Sequence, residues 1–303
     1  MPSVRETRVY VDQSETVEAY VAADLGVAVA RVSRDKVGEF SLVERCTARD
    51  VDTTARGIAA ATTDDVLLGD DDGFEPTGFG PAVAVASYDE GVLAAGADGR
   101  LAHYDGDDWT TLGSVDGAVR AIDGDLVAAA DGVHRVTDDG VSAVGLDDVR
   151  DVAVAGVPLA AAPDGLYRLG AGWMLAQNGD FRVAASDPVT ADAGALGRAH
   201  AATPDALYEY DDGQAGDGTE AGDVEADEAG GEETGGGGDG DDDWRVRDIP
   251  LDSPVADVGY ATDGSIVLTE DGALAVDAGE GFRHRSLGLR DASALAVVAE
   301  GNA

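Results

Sequence analysis

The stretch from Val92 to Tyr104 reads VLAAGADGRLAHY, and Trp109 follows it after a second turn. An apolar run leads into an Asp-Gly turn, and a second short run ends beside an aromatic residue. Asp-Gly favours a tight hairpin because glycine readily adopts a positive φ. This unit therefore predicts short antiparallel strands joined by hairpins.

The same unit recurs along the chain. Residues 126–136 read LVAAADGVHRV, and residues 159–169 read LAAAPDGLYRL with Trp173 after them. Weaker copies lie on both sides, at roughly regular intervals. The turns of the seven copies fall at Asp24, Asp64, Asp98, Asp131, Asp164, Asp205 and Asp271.

Seven such units predict an all-β chain that forms a seven-bladed β-propeller of four-stranded antiparallel blades, as one domain over residues 1–303. No window keeps helical periodicity over the length of a helix. One small sheet cannot hide both of its faces, so the neighbouring blades must cover them. In six of the seven units we expect an aromatic residue near the start of the fourth strand to pack between blades: Phe40, Phe74, Trp109, Trp173, Trp244 and Phe282.

The two chain ends are expected to pair and close the ring. The stretch 290–298 resembles 150–155, which has the pattern of an innermost strand. The segment 7–12 competes for the same place or adds a further strand, and the sequence leaves both arrangements open.

A segment at residues 211–243 interrupts the sixth unit. It consists mostly of Asp, Glu and Gly, with Val224 as its one branched apolar residue and no aromatic residue. Such a composition cannot bury enough apolar surface to offset the entropy of ordering, so we expect a disordered loop inside the blade. An acidic docking tail is the alternative.

The charge balance is strongly acidic. The chain has 61 acidic and 20 basic residues, a net charge of -41, and Lys36 as its only lysine. Molar salt screens such repulsion to about 3 Å, so the composition indicates a halophile. Without a basic patch, we expect no nucleic-acid partner. No apolar run approaches the ~20 residues that span a bilayer, and we expect a cytoplasmic monomer.

Three segments resemble a haloarchaeal family of β-propeller proteins: Arg8-Val9-Tyr10, Val37-Gly38-Glu39-Phe40 and Ala48-Arg49-Asp50-Val51. The resemblance extends over the chain outside the acidic segment. It implies the fold and the lineage, and it implies no activity because the family has none assigned.

Five arginines form the one positional pattern beyond core and turns. Each is predicted to lie at the start of an innermost strand, so that they meet at one mouth of the central channel: Arg49, Arg120, Arg150, Arg182 and Arg290. Guanidinium groups bind carboxylate or phosphate in a bidentate manner. An anion-binding mouth is therefore one hypothesis for this pattern. The alternative is a structural belt, in which these arginines pair with Asp50, Asp151, Asp257 and Asp291.

The sequence contains no catalytic motif, no metal-ligand spacing and no cofactor fingerprint. We therefore expect a non-catalytic scaffold that binds a protein or a small anionic partner at a loop face or at the channel mouth. The competing interpretation is a metal-dependent hydrolase or lyase, with a divalent ion held over the channel by carboxylates such as Asp50, Asp151, Asp257 and Asp291.

Overall fold

The structure, a computed structural model, describes residues 16–70, 73–137, 139–210, 243–250, 252–262, 264–277, 279 and 281–299. These residues form seven four-stranded antiparallel sheets. Each sheet is one blade, and each innermost strand contacts the innermost strands of the two adjoining blades. The sheets therefore close into the predicted seven-bladed propeller.

The innermost strands of blades one to seven are β28 (Ala294–Ala299), β4 (Ala48–Thr54), β8 (Ala82–Tyr88), β12 (Val119–Asp123), β16 (Asp151–Ala153), β20 (Val183–Ser186) and β24 (Val255–Ala261). The second strands are β1 (Thr16–Ala23), β5 (Gly57–Thr62), β9 (Gly91–Gly96), β13 (Leu126–Ala129), β17 (Leu159–Ala162), β21 (Ala199–Ala202) and β25 (Gly264–Thr269).

The third strands are β2 (Gly26–Ser33), β6 (Val66–Asp70), β10 (Arg100–Tyr104), β14 (Gly132–Thr137), β18 (Gly165–Leu169), β22 (Leu207–Tyr210) and β26 (Ala273–Asp277). The outermost strands are β3 (Lys36–Glu44), β7 (Gly73–Pro76), β11 (Trp109–Ser114), β15 (Gly140–Gly145), β19 (Trp173–Asn178), β23 (Trp244–Arg247) and β27 (Phe282–Ser286). The part of the chain that the structure describes contains no helix, and so none that could span a bilayer.

All seven predicted turns join the second strand of a blade to the third. In the fourth blade, Gly132 follows Asp131 with a φ of 120°. A Cβ atom on Gly132 would lie only 2.3 Å from the carbonyl oxygen of Leu146. Glycine is therefore required here both by the backbone conformation and by the close approach of the next segment.

The C-terminal strand β28 closes the ring. It pairs antiparallel with β1, and the register places Ala19 opposite Val297. This pairing decides the alternative left open by the sequence, because β28 is the innermost strand of blade one. The competing segment 7–12 lies outside the described residues.

The core is divided among the junctions between blades. Seven clusters of buried apolar residues each bridge two adjacent blades. The second strands are the most completely buried, as the run of alanines after Leu159 in β17 illustrates. Small side chains let two blades approach closely there, and burial on both faces explains why these runs are continuously apolar.

Five of the six aromatic residues lie at the first or second position of an outermost strand. Trp173, for example, donates from Nε1 to the carbonyl oxygen of Val144 in the preceding blade at 3.1 Å. Phe40 departs from the pattern. It is the fifth residue of β3, is 39% exposed and has the guanidinium of Arg285 over its ring.

The acidic segment falls between the third and fourth strands of blade six. Tyr210 ends β22 and pairs with Trp244, which begins β23. Residues 211–242 of the segment predicted to be disordered lie outside the described residues.

Candidate functional site

Four of the five candidate arginines meet at one cavity on the axis of the ring. The cavity has a volume of about 440 Å³, and Arg49, Arg120, Arg150 and Arg182 all line it. Arg49 and Arg120 are each the second residue of an innermost strand, and Arg150 and Arg182 each directly precede one. All innermost strands begin at the same face of the ring. The arginines therefore form a rim at one mouth of the channel.

β-Bulges help to place this rim. The pairing of β4 with β5 shifts register between Ala48 and Asp50, and that of β12 with β13 shifts between Val119 and Ala121. The extra residue at the first shift is Arg49, and at the second it is Arg120. A bulge redirects the side chain that it adds, which accounts for these two arginines turning toward the channel.

Arg290 does not line the cavity. The hydrogen bonds between blades show why. Val85, Ala184 and Leu295 are equivalent residues, because each donates its backbone N–H to an aspartate of the preceding blade. The residue two positions before Ala184 is Arg182, and the residue two positions before Leu295 is Ser293. Serine thus takes the arginine position in blade one, three residues beyond the position that the sequence alignment indicated.

Two of the rim arginines are held in pairs that link adjacent blades. Arg120 donates to the carboxylate of Asp148 at 2.6 Å and to the carbonyl oxygen of the following residue at 3.0 Å. Arg150 makes the equivalent contacts, with Asp180 at 2.6 Å and with the next carbonyl oxygen at 3.0 Å. These pairs form a belt from blade four to blade six, but with aspartates other than those that the sequence suggested.

The other two arginines keep their guanidinium groups open. Arg182 approaches Glu270 only to 3.8 Å, and its side chain is 44% exposed. Arg49 is exposed, and among the described residues its guanidinium makes no hydrogen bond or ion pair. Its backbone carbonyl oxygen accepts from Ser293 at 2.8 Å. Arg49 and Arg182 are therefore the rim residues with donors available to a ligand.

Five aspartates line the same cavity further along the strands: Asp50, Asp52, Asp123, Asp151 and Asp257. Each accepts the backbone N–H of an innermost strand in the next blade, at distances of 2.7 to 2.9 Å. An innermost strand has no partner on its channel side, so these carboxylates satisfy N–H groups that would otherwise be unpaired. They also fasten blade to blade.

Each carboxylate has further acceptor capacity. In Asp50, Asp52, Asp151 and Asp257, the second oxygen accepts the N–H of the following residue. The Oδ1 atom of Asp123 accepts no hydrogen bond from any described residue. An ionised carboxylate has about four lone-pair sites, so all five retain capacity that faces the cavity.

Burial raises the pKa of every one of these carboxyl groups. Desolvation, with repulsion among neighbouring carboxylates adding to it, raises the pKa of Asp257 to about 6, of Asp52 to about 7 and of Asp151 to about 8. The pKa of Asp50 and that of Asp123 are raised by the same desolvation. Within the described chain, none of the five forms an ion pair with Arg, Lys or His. The channel carboxyl groups thus have no ion-pair partner among the described residues.

The carboxylates do not converge on one point. Among the described residues, no three His, Cys, Asp or Glu side chains are close enough to hold a metal ion. Asp291, one of the four carboxylates considered for a divalent ion, does not line the cavity. The geometry therefore gives no support to the metal-dependent hydrolase or lyase.

Sequence reasoning missed two of the channel aspartates, Asp52 and Asp123. A signal for both was present, because each stands three residues after a rim arginine, Arg49 or Arg120. That shared spacing places both carboxyl groups at the same level of their innermost strands, β4 and β12, on either side of blade three.

A buried polar network beside the channel was also missed. Asp187 is fully buried and pairs with Arg198 at 2.7 Å. Next to it, His200 is buried and its Nδ1 lies 3.1 Å from the hydroxyl of Tyr260, which lines the cavity. Burial lowers the pKa of His200 to about 4, so its ring is neutral at neutral pH. His200 and Tyr260 are 60 residues apart, and Asp187 and Arg198 are 11 apart. No local sequence motif predicts either contact.

Solved structures with a similar fold cover most of the chain at low identity. A nidogen/laminin complex matches with a TM-score of 0.54 and 9% identity, over 93% of this chain and 98% of that one. YCF48 bound to D1 peptide matches with a TM-score of 0.54 and 13% identity, over 79% and 82%. A computationally designed protein, Ika8, matches with a TM-score of 0.51 and 14% identity, over 93% and 90%. At these identities the likeness shows the fold alone.

No curated protein sequence matches the chain significantly. A family model, by contrast, matches residues 3–298, and it is described as HVO_0234-like, beta propeller. That name implies a haloarchaeal lineage, in agreement with the resemblance seen in the sequence. Since the match extends over nearly the whole chain, the protein belongs to the HVO_0234-like β-propeller family.

Proposed function

We propose that the protein is a non-catalytic binding propeller whose channel mouth takes a small ligand through a carboxylate or phosphate group. The observation that carries the proposal is the rim of four arginines around a cavity of about 440 Å³. Arg49 and Arg182 supply the free donors, and the pairs of Arg120 and Arg150 hold the rim rigid. The planar fork of a guanidinium matches a carboxylate or phosphate, so less entropy is lost per hydrogen bond formed.

High salt makes direct contact essential to this function. At 1 M salt the Debye length is about 3 Å, so a charge outside contact distance gives little attraction. Binding at the rim therefore depends on direct, hydrogen-bonded ion pairs, which are stronger than neutral hydrogen bonds. Chloride competes for the same donors, so the affinity for an anion is expected to fall as the chloride concentration rises.

The test is a titration of the purified protein with acetate, butyrate, succinate and inorganic phosphate at fixed potassium chloride, followed by calorimetry and by the melting temperature. We expect at least one anion to bind and to stabilise the wild type. The double variant R49Q/R182Q should lose that response. Arg290→Gln is the matched control, since Arg290 is exposed and outside the cavity, and it should bind as the wild type does.

Two outcomes would remove the proposal. One is that no anion in the panel binds the wild type at either of two chloride concentrations. The other is that R49Q/R182Q binds as tightly as the Arg290→Gln control. Neither variant is expected to unfold the protein, because Arg49 makes no side-chain hydrogen bond or ion pair with a described residue and the contact of Arg182 is long.

We further propose that the protein acts as a monomer in the cytoplasm of a halophile, without a nucleic-acid partner. The acidic composition supports this proposal, since the chain has 61 acidic residues and only 20 basic ones. Light scattering in molar potassium chloride, together with fractionation of the host cells, tests both parts.

A further inference from the structure

The cavity carries opposite charges at different depths. The arginines lie at the rim, and Asp50 and Asp151 each follow a rim arginine by one residue. Asp257 lies at the same level of β24, and Asp52 lies two residues further along β4 than Asp50. With a rise of ~3.3 Å per residue, the carboxylates stand about 3–10 Å below the rim. A ligand that enters from the arginine rim therefore meets a positive layer first and a negative layer next.

A purely anionic ligand suits only the first layer. Once its anionic group is bound at the rim, any second negative group would point toward five carboxylates. The cavity of about 440 Å³ is also much larger than one carboxylate or phosphate group needs. The remaining space is lined by carboxyl groups and by small apolar residues such as Ala121 and Ala184.

The channel carboxylates favour a ligand that carries a positively charged group. They are desolvated and repel one another, and no basic side chain of the described residues pairs with them. Ionising a desolvated carboxyl group without a partner is costly, so the pKa rises, and a cationic group bound beside it favours the ionised form. The open Oδ1 of Asp123, together with the spare lone pairs of the other four, offers acceptors to an ammonium group.

We propose that the ligand is dipolar: a small molecule with a carboxylate or phosphate at one end, bound by Arg49 and Arg182, and an ammonium group at the other end, bound among the channel aspartates. This inference rests on the proposed anion-binding function and narrows its ligand class to zwitterions of short chain length. The Asp123 carboxylate is the specific acceptor for the ammonium end.

The blade-fastening role of the aspartates does not by itself account for this arrangement. A neutral Asn or Ser side chain could also accept a backbone N–H, without placing uncompensated charge in a cavity. Blades three, six and one carry Ala84, Val183 and Ala294 at the level of Asp50, and they close the ring without any carboxylate there. Fastening alone therefore does not require five carboxylates.

The experiment compares matched probes by calorimetry on the full chain at pH 8.5 and fixed potassium chloride. The zwitterions are 4-aminobutyrate and 6-aminohexanoate, the carboxylates are butyrate and hexanoate, and the amines are butylammonium and hexylammonium. We expect one zwitterion to bind about tenfold or more tightly than its matched carboxylate, because a charge-assisted hydrogen bond is added. The amines should bind more weakly than that zwitterion.

Variants separate the two ends of the ligand. Asp123→Asn keeps an oxygen to accept the N–H of Val154 and removes the charge. It should weaken the zwitterion several-fold and leave the carboxylate unchanged. Arg49→Gln should weaken both. Asp107→Asn is the control, since Asp107 is exposed in the turn between β10 and β11, away from the channel, and it should change neither.

The failures are distinguishable. If carboxylates bind and the zwitterions bind no better, or if Asp123→Asn has no effect on zwitterion affinity, the dipolar ligand is overturned while the anion site stands. If an amine binds as tightly as its matched zwitterion, the rim adds nothing to that ligand and the dipolar ligand is overturned, whereas the anion site then stands or falls with the binding of the carboxylates. If no probe binds, the anion site fails together with the inference.

Discussion

The carboxylate of Asp50 in blade two accepts the backbone N–H of Val85 in blade three at 2.8 Å. The carboxylate of Asp151 holds Ala184 in the same way across a different junction, at 2.9 Å. These contacts lie on the wall of the axial cavity, so the same side chains fasten blades and set the charge of the channel. A change in their protonation should therefore alter stability as well as binding.

The first prediction concerns pH. The folded pKa values of Asp257, Asp52 and Asp151, about 6, 7 and 8, all exceed the ordinary aspartate pKa of 3.8 because these carboxyl groups are desolvated. Between the ordinary pKa of 3.8 and the folded values of about 6 to 8, the folded protein binds more protons than the unfolded chain. The free energy of unfolding therefore decreases as the pH rises through this range. We expect the melting temperature in molar potassium chloride to fall from pH 5 to pH 9. Asp151→Asn should make the fall of the melting temperature less steep at the upper end of this pH range. A wild-type melting temperature that rises with pH would contradict the raised pKa values.

The second prediction concerns the buried ion pair beside the channel. Arg198→Met leaves the fully buried Asp187 without its partner at 2.7 Å, and it also removes a hydrogen bond to the carbonyl oxygen of Ala261 in blade seven. The loss of free energy of unfolding should be about 3–5 kcal/mol. Chemical denaturation in molar salt measures it.

A control and a rescue accompany that variant. Arg283→Met breaks an exposed pair with Asp35 and should cost about 1 kcal/mol or less. Adding Asp187→Asn to Arg198→Met should recover part of the loss, because the unpaired charge is then gone. If Arg198→Met alone is no less stable than the Arg283→Met control, the pair of Arg198 and Asp187 does not stabilise the fold as a buried ion pair should.

The third prediction concerns ring closure. A chain that ends before Ser293 lacks β28, and with it the buried Ala294, Ala296 and Val298 at the junction of blades one and two. We expect loss of the cooperative thermal transition followed by circular dichroism in molar salt. A synthetic peptide of residues 290–299 should restore part of it, whereas a native-like transition in the shortened chain would show that β28 is dispensable.

The fourth prediction concerns the aromatic residue between blades four and five. Trp173→Phe keeps a ring but removes the hydrogen bond from Nε1 to Val144. The free energy of unfolding should fall by about 1 kcal/mol. The neighbouring, exposed Met174→Leu should change it by less than about 0.5 kcal/mol, and equal effects in the two variants would refute a specific role for the indole N–H.

Much of the fold was predictable from the sequence, because a turn that contains Asp marks the junction of the second and third strands in every blade, and in four of the seven blades that turn is Asp-Gly. Four rim arginines were also predictable, since they repeat at a fixed place in the unit. The register of the last strand, β28, could not be predicted from the sequence. Arg290-Asp291 imitates Arg150-Asp151, but Ser293 takes the rim position, and only the hydrogen bond from Leu295 to Asp257 reveals this. Bulges and contacts between blades leave no local trace in a sequence.

The distribution of the fastening carboxylates around the ring has a final consequence. Blade three presents Ala84 and Ala86 where blade two presents Asp50 and Asp52, so its junction with blade four is built on the apolar cluster around Leu93 and Val127. Apolar association weakens as salt is withdrawn, whereas a contact between carboxylate and amide depends on salt much less. Blades one and six also lack a carboxylate at this level, so dilution should open the ring first at one of the three junctions without a carboxylate contact, and turn a closed ring into an open arc.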